Sequence, residues 1–292
     1  MTMGIYTIKD LEGLSGIKAH TIRIWEKRYG IINPARTDTN RRIYSDDDLR
    51  KLINVSVLNK SGFKISKIAS LTDKQLHEKV SLLARDVNRT DAQIESLIIT
   101  MINLDEQSFD DLLTRSIINM GFENAFTTII FPFLRRVGTL WLTGSITPAQ
   151  EHFVSNLIRQ KLISNIDAQS ADRKADASKV LLFLPENELH EIGILFYNYI
   201  SRREGHEVLY LGAHTPLESV ELSAEIWAAD IIVTDISSCR SEADEYLKRL
   251  SLIFSGQMII IRGGTDETIK SKLPANIFQA DSVDDYIKLL NK

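Results

Sequence analysis

The chain has 292 residues, 43% of them hydrophobic and 25% charged, the profile of an ordinary globular protein of two or three domains. Its single cysteine, Cys239, excludes an intrachain disulfide and a zinc–cysteine site, and fits a reducing cytosol. No apolar run is as long as a membrane span, and Met1-Thr2-Met3-Gly4 does not open a signal peptide, so a cytoplasmic protein without a membrane partner is expected. The net charge of -4 is unevenly spread. Residues 1–80 hold 15 Lys/Arg against 9 Asp/Glu, and the remainder holds 20 against 30. A basic head on an acidic body points to a polyanion as the partner of the head.

In chain order, Thr7 reads as the N-cap of a helix over Ile8 to Leu14, broken at Ser15-Gly16. A second helix over Lys18 to Tyr29 places Ile22, Trp25 and Tyr29 on one face, with Arg23 and Lys27 on another. Two short helices joined by a glycine turn form a helix-turn-helix. The polar, basic stretch Arg36–Tyr44 is bounded by residues able to pair as a hairpin, which beside a helix-turn-helix makes a wing. Ser45 then starts a third helix, with Asp48 at the capping-box position, that ends at Ser61-Gly62.

Here the chain resembles the MerR family of transcription regulators. The residues that carry the resemblance are Tyr6-Thr7-Ile8, Thr21 to Gly30 (TIRIWEKRYG), Pro34-Ala35-Arg36 and Arg42-Ile43-Tyr44-Ser45. It implies that the second helix reads the major groove and that the wing grips the backbone. It assigns DNA contact to Lys18, His20, Arg23, Arg36, Arg42 and Tyr44, leaving Ile22 and Trp25 to the core. It also implies a dimer on a near-palindromic double-stranded operator.

The middle of the chain reads as helices. They are Asp91 to Leu104, Ser108 to Met120 with Gly121 at C′, Glu123 to Leu142 with a kink at Pro132, and a last helix capped by Thr147-Pro148 and running to about Ala168. Four such helices with short loops make a small bundle. Trp141 closes one helix, while Glu151 and His152 open the next. Taken alone, a core tryptophan and two helix-start residues account for them.

The tail alternates. Strands are expected at Lys179–Leu184, Glu207–Leu211, Ile231–Thr234, Met258–Ile261 and Ile277–Phe278. Helices are expected at Ile192–Glu204, Leu217–Ala228, Glu242–Phe254, Asp266–Lys272 and Ser282–Leu290. Five β/α units imply a doubly wound parallel sheet, with ligands beyond the carboxyl ends of the strands. The loops there hold Glu188-x-His190-x-x-Gly193, Gly212 to Pro216, Asp235-Ile236-Ser237-Ser238 and Gly263-Gly264-Thr265. Neither GxGxxG nor GxxxxGK[ST] is present, which disfavours a dinucleotide or P-loop site. His206 and His214 are expected in surface loops.

The tail resembles cobalamin-binding domains, whose pattern is Asp/Glu-x-His-x-x-Gly after the first strand, a Ser-containing loop after the third and Gly-Gly after the fourth. The resemblance implies that His190 ligates cobalt, that Glu188 orients it, and that Gly193, Ser237, Gly263 and Gly264 line a slot for the displaced nucleotide tail. Asp235 departs from the serine expected near that slot. Trp141, nine residues and then Glu151-His152 resembles the bundle of cobalamin-binding MerR regulators of the CarH type, where these residues cover the upper cobalamin face and its adenosyl group. Light-sensing members often carry histidine after that tryptophan, where this chain has Leu142.

The expected architecture is thus multidomain α and α/β. A winged helix-turn-helix spans 1–75, a four-helix bundle 76–172 and a Rossmann-like cobalamin-binding domain 177–292. The expected function is a cobalamin-dependent repressor with light sensing as a further option. It would hold adenosylcobalamin between bundle and α/β domain and assemble as a homodimer or a ligand-dependent tetramer. Two alternatives stay open: a regulator whose α/β domain serves a protein partner or oligomerisation without cofactor, and the cobalamin module of a methyltransferase or mutase.

Overall fold

The computed structural model describes residues 6–37, 40–84, 90–142, 146–169, 173–236, 243–262 and 273–292. The chain divides into two compact units, Met1–Ser155 and Asn156–Lys292.

The first unit begins with α1 (Ile8–Ser15) and α2 (Ala19–Tyr29). Thr7 and Asp10 form a capping box, and Gly16 ends α1 at φ 68, a left-handed conformation that costs glycine nothing. Leu11, Leu14, Ile22 and Trp25 turn into a shared core. β1 (Ala35–Arg36) pairs antiparallel with β2 (Arg42–Ile43), which is the wing. α3 (Asp46–Lys60) carries the expected Ser45/Asp48 capping box. Ser56 Oγ donates to the Ser15 carbonyl at 2.9 Å, tying α3 to the end of α1.

Two further helices follow where the sequence reading places none, α4 (Ile65–Ile68) and α5 (Asp73–Ala84). The signal for α5 was present. Thr72 and Gln75 cap its start reciprocally, each backbone N–H donating to the other's side chain. α6 (Thr90–Asn103) differs from its apolar-periodic reading, because every residue from Ala92 to Ile102 is buried, Gln93, Glu95, Ser96 and Thr100 included. A helix enclosed on all sides must satisfy its polar groups inside. Glu95, 2% exposed, does so at Oε1, which meets Arg136 Nη1 at 2.6 Å and Lys60 Nζ at 3.3 Å, while its Oε2 has no hydrogen-bond partner among the described residues.

α7 (Glu106–Met120) is followed by α8 (Phe122–Ala125), a π-helical segment over Phe126–Ile130, α9 (Phe131–Leu142) and α10 (Pro148–Asp167). The interruption expected at Pro132 is that π segment, just upstream. Proline has no N–H for the carbonyl one turn back, and the wider i→i+5 turn falls where that bond is lost. Gly121 ends α7 at φ 83 and ψ 157, so it differs from an ordinary αL cap. The boundary between the two units falls within α10.

The second unit is a five-stranded parallel sheet of β3 (Lys179–Pro185), β4 (Glu207–Thr215), β5 (Ile231–Thr234), β6 (Met258–Arg262) and β7 (Ile277–Ala280), ordered β4-β3-β5-β6-β7. α11 (Glu191–Arg203), α12 (Leu217–Trp227), α13 (Ala243–Ile253) and α14 (Val283–Leu290) complete it. β3 is buried along nearly its whole length, as a central strand of a parallel sheet must be. Leu181, Phe183, Val220, Ile232, Leu250 and Ile259 form one core. On the opposite helices Tyr197 and Tyr286 stack at 4.0 Å, and the Tyr286 and Ser201 hydroxyls pair at 2.6 Å. β4 outruns its expected end at Leu211. A register shift between Leu182 and Phe183 of β3 lets it continue through Gly212 to Thr215, with Gly212 at φ 86. The helix expected at Asp266–Lys272 lies outside the described residues.

His206 corrects an expectation: it is not a loop surface residue but 5% exposed. Its Nδ1 accepts from the Ser178 N–H at 3.2 Å. Burial, and next the Lys174 charge, push its pKa below the ordinary value. The folded imidazole stays neutral, whereas in the unfolded chain it takes up a proton near pH 6.5. The unfolded state then binds more protons, so stability falls as the pH falls through that value. Urea unfolding at about pH 7.5 and about 5.5 should show a lower midpoint in acid, and His206→Gln should reduce that difference.

Candidate functional site

The sheet order places its topological switch point between β3 and β5, the place where this architecture receives ligands. The loop after β3 is built for one histidine. Asn187 takes φ 67, and its N–H donates to His214 Nδ1 at 3.0 Å. Glu188 closes a turn onto the Pro185 carbonyl at 3.1 Å. Its side chain is fully buried, although a buried carboxylate needs partners. Its Oε1 accepts from the His190 backbone N–H at 3.0 Å and lies 2.7 Å from His190 Nδ1. A carboxylate only accepts, so Nδ1 carries the ring proton and Nε2 carries the lone pair. The imidazole is 76% exposed and sits at the N-cap position of α11. A lone imidazole with its Nδ1 held by a buried carboxylate fits an axial ligand to a metal whose other positions are filled by a macrocycle.

Beside it, the Glu191 carboxylate is held by Arg159 Nε at 2.7 Å and by the Tyr210 hydroxyl at 2.7 Å. Burial, then the hydrogen bond to Glu191, raise the Tyr210 phenol well above its ordinary range, so it remains a donor. Gly193 lies in the first turn of α11, and a Cβ built there would stand 2.6 Å from Arg262 Nε. The guanidinium that fills this space is paired with Asp235, 1% exposed at the end of β5. The expected crevice residue is therefore present, and an arginine from the end of β6 lies against it. Ser237, Gly263 and Gly264, expected to line the same slot, lie outside the described residues.

In the first unit Trp141 is on the last turn of α9 and 47% exposed. Glu151 and His152 come together in α10, with His152 Nδ1 3.2 Å from Glu151 Oε2 and His152 72% exposed. Glu151 Oε1 also accepts from the Ser155 hydroxyl.

On the head, Lys18 is exposed and pairs with Glu12 at 3.1 Å. The Ala19 N–H and then Lys18 hold the Glu12 carboxyl below the usual range. His20 and Arg23 are exposed on α2, and Arg36 is exposed on the wing. Arg42 Nε reaches Glu26 of α2 at 3.0 Å, joining wing to helix. Tyr44 corrects an expectation. It is 1% exposed, so its ring belongs to the core of the head, and burial raises its phenol pKa. Ile22 and Trp25 are core, as expected.

Three residues of this geometry were not singled out from the sequence: Arg262, Tyr210 and Arg159. Each acts through a partner 19 or more positions away, and no local pattern announces such pairs.

A winged helix-turn-helix head and a parallel α/β unit with an oriented histidine at its switch point are joined in one chain. Residues 6–75 match the MerR HTH family regulatory protein, and residues 93–163 match the B12 binding domain. The chain thus carries a MerR-type head and a B12-binding domain, and Trp141, Glu151 and His152 fall inside the second match. It is 28% identical to the HTH-type transcriptional repressor CarH of Myxococcus xanthus, over 94% of this chain and 95% of that one. It is also 28% identical to the repressor CarA of the same organism, over 84% of this chain and 79% of that one. Both are transcriptional regulators rather than enzymes. The monomethylamine corrinoid protein of Methanosarcina barkeri aligns with a TM-score of 0.49 and 15% identity, covering 65% of this chain and 92% of that one. Among the described residues no helix is long and apolar enough to cross a membrane.

Proposed function

We propose that this chain is a cytoplasmic transcription repressor whose hold on double-stranded operator DNA depends on bound cobalamin, in its adenosyl form. The observation that carries the reading is the buried Glu188 carboxylate 2.7 Å from Nδ1 of the exposed His190 imidazole, which leaves Nε2 as the nitrogen for a metal. His190 would hold the cobalt of the bound group, and Trp141, Glu151 and His152 are the further residues that would contact that group. Cobalamin, when bound, would supply a cobalt centre able to take an imidazole. The protein supplies the imidazole and its orientation. Lys18, His20, Arg23, Arg36 and Arg42 contact DNA, phosphate contacts giving salt-dependent affinity. The chain acts as a homodimer, and ligand shifts it toward a tetramer through its differential affinity for the two assemblies. Two relatives that are repressors, similar over most of the chain, support the direction of the effect.

The test is direct. Protein mixed with adenosylcobalamin in the dark and passed through a desalting column should emerge red, with the spectral change of a histidine replacing the ligand's own base. Colourless protein would overturn the reading. One observation favours a cofactor-free regulator as the second reading: the Asp235–Arg262 pair already fills the space over Gly193.

A further inference from the structure

His190 sits in a turn that its own side chain does not close. Its backbone, at φ -78 and ψ 70, is the centre of an inverse γ-turn, in which the Glu191 N–H donates to the Leu189 carbonyl at 2.9 Å. At the N-cap of α11 its side chain makes no bond to the free N–H groups of the first turn. Glu188 holds the ring from the N-terminal side. On the C-terminal side stands Glu191, the first residue of α11. Its two carboxylate oxygens are held separately, Oε1 by the Tyr210 hydroxyl of β4 and Oε2 by Arg159 Nε of α10, each at 2.7 Å. The Glu191 side chain is 18% exposed. The helix macrodipole favours a carboxylate at this position, yet it requires no partner from β4 or α10. A carboxylate gripped at both oxygens from two elements has one place and one tilt, and the peptide that joins it to His190 is fixed with it. All four residues belong to the second unit.

We infer, on the cobalamin reading above, that Glu191, clamped by Arg159 and Tyr210, is a positioning residue for His190. Glu188 sets the ring, and the clamp sets the backbone from which the ring projects. An imidazole meets a metal squarely only when both are set. The rest of α11 stands without the clamp, because every residue from Gly193 to Ser201 is buried. Loss of the clamp therefore frees the first turn, and His190 with it, while the helix stays packed on the sheet. Arg159 lies inside the stretch that matches the B12 binding domain, so that stretch contributes to the aim of a histidine that lies outside it.

Adenosylcobinamide is the probe, since it carries no base of its own. It is yellow until a nitrogen from the protein joins the metal, and then red. It is titrated in the dark into the full chain and into Glu191→Leu, Arg159→Met and Arg159→Lys, and the urea midpoint of each protein is measured without ligand. The parent should turn the probe red. Glu191→Leu should need about tenfold or more protein for the same colour change, the scale on which a metal ligand depends on its orienting partners. Its urea midpoint should stay within about 0.5 M of the parent. Arg159→Met, which leaves the Tyr210 contact in place, should fall between the two. Arg159→Lys should lie near the parent, since an ammonium can also pair with the carboxylate. Should Glu191→Leu not fold, the contrast between Arg159→Met and Arg159→Lys decides. A Glu191→Leu titration within roughly twofold of the parent overturns the inference. So does a loss matched by a fall in the urea midpoint with Arg159→Met equal to the parent, which reduces the clamp to a stability element. A parent that retains adenosylcobalamin through desalting but leaves adenosylcobinamide yellow overturns the role given to His190, and this inference with it. A parent that retains no adenosylcobalamin overturns the cofactor reading itself.

Discussion

Replacing His190 by alanine is expected to remove cobalamin-dependent retardation of operator DNA while leaving the fold intact. The side chain is 76% exposed and is anchored by Glu188, so little packing is lost. What is lost is the only imidazole placed on the β3–α11 loop. The neighbouring carboxylate permits a graded test. Glu188→Gln keeps the volume of a buried residue but replaces an acceptor-only group with an amide, so that nothing enforces protonation at Nδ1. Loss of such an orienting partner costs about 10–100-fold in metal affinity, so Glu188→Gln should fall between the parent and His190→Ala. Gel retardation against cobalamin concentration reads both variants. Full ligand-dependent retardation by His190→Ala would remove the histidine from the mechanism. DNA binding by the head alone, driven by Lys18, Arg23 and Arg36, should persist in both variants at low salt and weaken as salt rises.

Much of this was legible because the relevant signals are local. β5 lies at the expected residues, and β3 and β6 run one residue longer, because strands buried on both faces appear as unbroken apolar runs with sharp stops. Both capping boxes of the head were equally plain, since each is written within four residues. β4 ran past its expected end because its bulge depends on the register with β3, which the sequence of β4 does not encode. Glu188 and His190 sit two apart and could be paired by inspection. Arg262 could not, because its partner Asp235 lies 27 positions back on another strand. Asp235 departs from a pattern in the sequence, but its meaning needs the guanidinium beside it. Tyr44 differs from its expected place for a related reason. Its place beside Arg42 on a basic stretch says nothing about the side to which its ring turns, and the bridge with Tyr6 holds that part of the chain against the core.

The same limit explains α6. Its Ile94, Leu97, Ile98, Met101 and Ile102 mark one apolar face, and the polar residues between them read as the solvent side. The fold buries both sides. Glu95 becomes the hub of a charged cluster in which Arg136 of α9 and Lys60 of α3 share Oε1, while Arg136 Nη2 also donates to the Leu14 carbonyl of α1. One guanidinium thereby joins helices of the DNA-binding head to helices of the B12-binding segment. Arg136→Met should therefore be among the most damaging single changes in the first unit. It leaves a carboxylate that is 3% exposed in its side chain with only Lys60, whose own side chain is 44% exposed. Breaking a buried pair from one side costs about 3–5 kcal/mol, a large part of the stability of a typical domain. Lys60→Met removes the longer and more exposed contact and should cost about 1 kcal/mol or less. Replacing both ends of the buried pair, Glu95→Leu with Arg136→Met, should recover most of the loss, because no charge then remains buried without a partner. Urea midpoints for the three variants and the parent order these effects. If Arg136→Met proved no more harmful than Lys60→Met, Glu95 would have other means of solvation and the junction would not hold the head to the helices behind it. Where the order is as expected, the double replacement also separates stability from coupling. It restores the fold without the hydrogen bond from α9 to the Leu14 carbonyl of α1 and without the ion pair between α6 and α9, so a repressor that uses this junction should bind operator DNA but respond less to its ligand.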